Sequence, residues 1–204
     1  MTALQLERLS CIRGHRLLFR DLSLSLETGG VLSLEGPNGA GKTSLLRLIA
    51  GLLRPAAGTI RLLTNGAPVE EPEERAQFVG WLGHQDAVKP QMTVAEQLFF
   101  WAGLYHSGRD PAEAMKNFGL AALGDVPGQY LSAGQKRRLA LARLALCGRP
   151  LWLLDEPLAA LDASGKALVA EAVAAHCAAG GLAVAATHEK LGLACQTLRL
   201  GAET

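Results

Sequence analysis

An α/β fold, with a parallel sheet covered by helices, is predicted by two observations. Short apolar runs at residues 151–154 and Leu182–Ala186 are too continuous for one-sided strands; they read as strands buried on both faces, as parallel strands are. Helical patterns stand between such runs, and alternation of strand and helix is what a parallel sheet requires.

Taken in order, residues 4–9 alternate through Leu4, Leu6 and Leu9, and residues 22–26 alternate strictly, so both read as half-buried strands. Gly29-Gly30 is a turn, and residues 31–35 form a buried strand running into a glycine-rich loop. Residues 44–51 read as a helix ended by Gly51. A turn at 55–58 precedes a strand at 59–63, Asn65-Gly66 marks another turn, and 78–82 is a strand. Residues 88–128 differ: helical patterns at 94–105 and 111–118 are separated by Ser-Gly-Arg-Asp and Gly-Asp-Val-Pro-Gly, which predicts a small helical insert between core segments 1–87 and 129–204. A helix at 135–147, the strand 151–154 closed by Asp155-Glu156, an alanine-rich helix at 166–179 stopped by Gly180-Gly181, and the strand at Leu182–Ala186 complete one domain over 1–204.

Composition excludes several classes. At 49% apolar and 19% charged, the 204-residue chain is globular. Twenty basic residues against 19 acidic leave a net charge of +1, without the basic excess that nucleic-acid binding draws on. Cys11, Cys147, Cys177 and Cys195 form no C-x-x-C pair and read as reduced thiols. The N-terminal residues lack a signal-peptide run, and no stretch of about 18 uncharged apolar residues is present, so a membrane role would run through a partner.

Gly36-Pro37-Asn38-Gly39-Ala40-Gly41-Lys42-Thr43 fits G-x-x-x-x-G-K-[ST], with a strand before it and a helix after it. The glycines let successive N–H groups converge on an anion, and the helix N-terminus adds partial positive charge. Lys42 supplies a full charge at the β- and γ-phosphates, Thr43 a hydroxyl for Mg²⁺, and Ser44 extends the nucleotide contacts. The expected ligands are therefore a nucleoside triphosphate and Mg²⁺; the loop alone does not choose between a kinase, a GTPase and an ATPase. Asp155, at the carboxyl end of an apolar strand, suits the metal, and Glu156 is placed to polarise an attacking water.

Leu131-Ser132-Ala133-Gly134-Gln135, followed by Lys-Arg-Arg-Leu-Ala-Leu-Ala-Arg143, resembles the LSGGQ signature of ATP-binding-cassette ATPases, with Ala133 in place of a glycine. That resemblance implies a P-loop NTPase with a RecA-like parallel sheet core, an N-terminal antiparallel β subdomain and a small helical insert. It implies that Ser132, Gly134 and Gln135 face the γ-phosphate of a second copy, so that two chains sandwich two ATP molecules. It gives Gln85 a role in sensing Mg²⁺ and water, Asp162 a place in the D-loop and His188 the γ-phosphate contact. Many cassettes stack an aromatic on adenine near position 13; here Arg13 either stacks its guanidinium on the base or is solvated.

Trp81-Leu-Gly-His84-Gln85, Lys89-Pro90, the signature helix, Leu151-Trp-Leu-Leu-Asp-Glu-Pro and the compact end are similar to the ATP-binding subunits of bacterial haem exporters of cytochrome c biogenesis. That resemblance implies integral-membrane partner subunits, a small accessory protein and a peripheral place on the cytoplasmic face of the inner membrane. Hydrolysis would drive release of a haem-loaded periplasmic chaperone. A cassette with another cargo, a non-transport cassette and an ATP-binding module without turnover are the alternatives; Glu156 and His188 argue against the last. His84 is read as a packed residue beside Gln85, not a haem ligand. Leu98, Phe99, Phe100, Trp101 and Tyr105 divide between a helical-layer core and a partner socket. The Lys136–Arg138 run reads as a solvated helix face near nucleotide phosphate.

Overall fold

The computed structural model describes residues 2–64 and 66–201; Asn65, in the predicted Asn65-Gly66 turn, lies outside the described residues. A hairpin of β1 (Thr2–Arg13) and β2 (Arg16–Leu26) joins β4 (Ala57–Thr64) and β5 (Ala67–Val69) in an antiparallel sheet of order β2-β1-β4-β5. These hairpin strands are longer than the predicted 4–9 and 22–26. Arg8 and Asp21 take positive φ (44° and 52°), and the register shifts between Leu6 and Leu9, so bulges interrupt the period of two that reveals a strand. The predicted turn at 55–58 is also corrected. Gly58 lies within β4 at φ 85°, where a Cβ would fall 2.4 Å from the carbonyl oxygens of Glu7 and Arg8.

The second sheet has five strands in the order β6 (Val79–Leu82), β7 (Leu151–Asp155), β8 (Leu182–Ala186), β3 (Val31–Glu35) and β9 (Gln196–Arg199), all parallel. The inner strands contribute alternate residues to two cores. Leu32, Leu34, Leu151, Leu153, Leu182 and Val184 pack with α1 (Lys42–Ile49) and the antiparallel sheet. Trp152, Leu154, Ala183 and Ala185 pack on the other face with α5 (Ala133–Leu146) and α6 (Ala163–Ala178). Edge strand β9 escapes a hydropathy reading because Gln196-Thr-Leu-Arg is polar and mostly exposed; backbone pairing with β3 holds it.

Helix starts follow their caps. Helix α1 begins at Lys42, two residues before the predicted start, because Gly41 at φ 104° turns the loop straight into it; Gly51 at φ 78° follows its end. The short α2 (Pro72–Ala76) was not predicted, and buried Arg75 anchors it by donating to the carbonyls of Ile49 (2.8 Å) and Ile60 (3.0 Å). Helix α3 (Val94–Tyr105) has the predicted bounds. Glu96 N–H donates to Thr93 Oγ1 (3.2 Å) and Thr93 N–H to Glu96 Oε2 (2.8 Å), a reciprocal capping box. Helix α4 (Pro111–Asn117) starts from the Asp110 cap. Ser132 and Gln135 form a second capping box, so α5 starts two residues earlier than predicted, and Asp162 caps α6 three residues earlier. Helices α3 and α4 pack against α5 through Leu98, Phe118 and Leu139.

Candidate active site

The glycine-rich loop leaves β3 at Gly36, whose φ is 139° and where a Cβ would lie 2.2 Å from the Leu200 carbonyl oxygen, so only glycine fits. The loop rests on the hairpin: a Cβ at Gly41 would be 3.3 Å from the Phe19 ring, and one at Gly39 3.7 Å from Arg16 Nη1. Arg16 is a loop neighbour that sequence reasoning missed. Lys42 opens α1 with 8% of its surface exposed. Its Nζ donates to the carbonyls of Gly36 (2.7 Å) and Pro37 (3.2 Å), which holds the ammonium across the loop's mouth.

Strand alternation brings the first carboxylate to this loop. Leu151 and Leu153 face α1, so Asp155, two residues further, faces α1 as well. Thr43 Oγ1 donates to both Asp155 oxygens, at 3.1 and 3.2 Å. A hydroxyl from the helix start and a buried carboxylate from a strand end thus converge. This is a set of hard oxygen donors that suits Mg²⁺.

Glu156 follows with φ at 50°, a left-handed conformation costing about 1–3 kcal/mol for a non-glycine residue. That turn breaks the alternation. The Glu156 N–H donates to Ala186 O at the end of β8 (2.8 Å), and Oε1 lies 3.4 Å from His188 Nε2, just beyond β8. His188 Nε2 is also 3.1 Å from Asn38 Oδ1 and 3.3 Å from Lys42 Nζ. Carrying a proton, Nε2 donates to Asn38 and Glu156; without it, Nε2 accepts from Lys42. The structure therefore gathers Asn38, Lys42, Thr43, Asp155, Glu156 and His188 at the carboxyl ends of three neighbouring strands, where open α/β sheets bind ligands.

Other predicted residues lie elsewhere. The Ser132 hydroxyl accepts from Gln135 N–H (3.2 Å) within its own turn. Gly134 abuts the Ala160 carbonyl, from which a Cβ would be 2.8 Å away, whereas Ala133 is exposed. This explains why alanine is accommodated at position 133. Asp162 Oδ1 accepts from Gly165 N–H (2.7 Å) and Ser164 Oγ (3.0 Å), which hold its carboxyl below the usual range. Gln85 sits in an exposed bend after β6, and its side chain makes no hydrogen bond among the described residues. His84 is exposed beside it, not packed as predicted, and Arg13 is exposed at the hairpin tip opposite Arg16.

The reading of the charged run at 136–138 as a solvated face is corrected at Arg137. Arg137 is buried, with 3% exposure, and its guanidinium donates to the carbonyls of Asp155 and Glu156 at 2.6 Å each. Helical spacing carries the missed signal, because Leu141 and Leu144 follow Arg137 by four and seven residues on the buried face.

A phosphate-binding loop, a paired carboxylate and a histidine on adjoining strand ends define a nucleotide hydrolase of the cassette type, and residues 19–159 match the ABC transporter family: the chain belongs to it and is an ATP hydrolase. More narrowly, it is similar to the cytochrome c biogenesis ATP-binding export protein CcmA of Paramagnetospirillum magneticum, 50% identical over 193 residues that cover 92% of this chain and 88% of that one. The protein of the same name from Nitrobacter winogradskyi is 47% identical over 95% of both chains. Among solved structures, a putative ABC transporter ATP-binding protein from Pyrococcus furiosus superposes with a TM-score of 0.83 at 25% identity, covering 97% of each chain.

Proposed function

We propose that this chain is the ATP-hydrolysing subunit of an export complex for cytochrome c biogenesis on the cytoplasmic face of the bacterial inner membrane. One observation carries the assignment: likeness over nearly the full length to proteins named for that export step, in a chain whose loop, carboxylates and histidine converge.

In this reading the N–H groups of residues 36–43 and the Lys42 ammonium hold the β- and γ-phosphates, with Ser44 beside them. Thr43 and Asp155, joined by Gln85, would hold Mg²⁺, which would offset the charge on the phosphates. Glu156 aligns a water and draws its proton, while His188, held by Asn38 and Glu156, contacts the γ-phosphate. Little covalent work is asked of the protein, because phosphoryl transfer is governed by positioning and electrostatics. Ser132, Gly134, Gln135 and Asp162 of a second copy complete each site, so the working unit is a dimer.

Residues 88–128 serve as the helical subdomain that meets the integral-membrane subunits. Leu98 is buried in the core, but Phe99, Phe100 and Leu104 are more than half exposed. Trp101 stacks on Tyr105 at 5.4 Å, with Arg143 5.2 Å above its ring. Phe100, Trp101, Leu104, Tyr105 and Arg143 border a groove of about 810 Å³ that reaches Trp81 and Lys89. An exposed apolar patch of this kind supports a docking role. No helix among the described residues is long and apolar enough to cross a membrane, so anchoring falls to those partners. Deleting the gene and staining for covalent haem tests the assignment: loss of all c-type cytochromes is expected, and their normal appearance overturns it.

A further inference from the structure

We propose that Arg137 is a positioning residue for hydrolysis, clamping the backbone that aims Glu156 and tying it to the segment that bears Gln85. This rests on the reading of Glu156 as the water-polarising group. The guanidinium is a planar fork of five N–H donors, and here nearly all of it is spent on one junction. Nη2 donates to the carbonyls of Asp155 and Glu156 (2.6 Å each), and Nε to that of Pro157 (3.4 Å). Nη1 donates to the Gly83 carbonyl (2.9 Å) and to Asp86 Oδ1 (2.8 Å). Three consecutive carbonyls from the end of β7 onward and both flanks of Gln85 thus meet on a single side chain.

Glu156 needs such a clamp. Its positive φ is intrinsically unfavourable and persists only where surroundings over-determine it. The Glu156 N–H to Ala186 bond and Arg137's bond to the Asp155 carbonyl fix the peptide before Glu156, and Arg137's bond to the Glu156 carbonyl fixes the peptide after it. Arg137 also lies just over one helical turn beyond Ser132 on α5, so the clamp moves with the signature turn. Lysine at this position would keep a buried cation but, with a single nitrogen, could not span acceptors on both segments.

The test is a double-mutant cycle in the 204-residue chain, combining Arg137→Gln or Arg137→Lys with Glu156→Gln. Steady-state kcat and KM for Mg-ATP, single-turnover rates and melting temperature are measured. Each Arg137 variant is expected to lower kcat about 10- to 100-fold, the scale of an ångström-level misplacement, with KM changed less than about twofold. In the Glu156→Gln background the same substitution is expected to produce no further loss, because the group it positions is already gone. Losses that multiply in both backgrounds overturn the proposal, since damage to the fold or the phosphate loop would act independently of Glu156. Turnover of Arg137→Lys within about twofold of the parent overturns it as well. If Arg137→Gln does not fold, the cycle with Arg137→Lys decides. Parental turnover in Glu156→Gln alone removes the premise and the proposal with it, an outcome distinct from a multiplicative cycle.

Discussion

His176 gives the sharpest prediction because its cost can be worked from its surroundings. The imidazole lies flat on Trp152, with centroids 4.0 Å apart and planes at 7°. Its Nε2 faces the carbonyls of Pro150 and Leu182, both at 3.2 Å, so that nitrogen carries the proton of a neutral ring. Burial pushes the group down from 6.5 to about 4, outweighing the two carbonyl hydrogen bonds that favour the charged form. The unfolded chain therefore takes up the proton first as pH falls. The stability held in the neutral buried ring is complete above about pH 6.5 and is lost progressively towards pH 4. Between about pH 7.5 and pH 5 the loss comes to about 2 kcal/mol, from 1.36 kcal/mol per pH unit between the two pKa values. For a chain of this length that corresponds to about 4–8 °C in melting temperature. His176→Gln keeps a donor but cannot titrate. Thermal or urea unfolding of both proteins at both pH values isolates the term, because every other titrating group cancels in the difference. If His176→Gln loses as much stability on acidification as the parent, the reasoning fails.

Three further outcomes are expected. Lys42→Ala should lower hydrolysis about 10²–10³-fold, the scale for removing one preorganised charge from developing negative charge, read as phosphate release. Gly134→Ala should fold yet lose at least about tenfold in turnover, because its Cβ meets the Ala160 carbonyl at 2.8 Å, while Ala133→Gly, one residue away and exposed, should keep nearly parental rates. Thr93→Ala should cost about 1 kcal/mol in urea unfolding by removing the capping box of α3, with ATP affinity unchanged.

The elements that local chemistry specifies were legible in the sequence. The helical pattern at 94–105 marks α3, and the uninterrupted run in β8 marks a doubly buried strand. Where the chain deviates from regular spacing, pattern reading stopped short. The bulges at Arg8 and Asp21 hid about half of a long hairpin, and β9 is held by backbone pairing that its polar side chains do not announce. The site divides in the same way. Lys42, Thr43, Asp155 and Glu156 are tied to strand and helix ends and could be placed from order alone. Arg137 looked like one member of a solvated run, because three consecutive charges suggest water unless helical phase is followed to Leu141 and Leu144. The left-handed turn at Glu156 had no sequence signal, since glycine, the usual mark of positive φ, is absent there.

The alternation along β7 sets a parity on how this site can change. Leu151 and Leu153 look towards α1, and Asp155 reaches Thr43 only because it stands an even number of residues further along. Adding or deleting one residue inside the strand would turn the carboxylate to the opposite face, among Trp152 and Leu154, and would turn the apolar residues with it. Descent and design can thus exchange apolar side chains of similar volume along β7, which is buried throughout, but cannot shift its count by one without turning the site residue away.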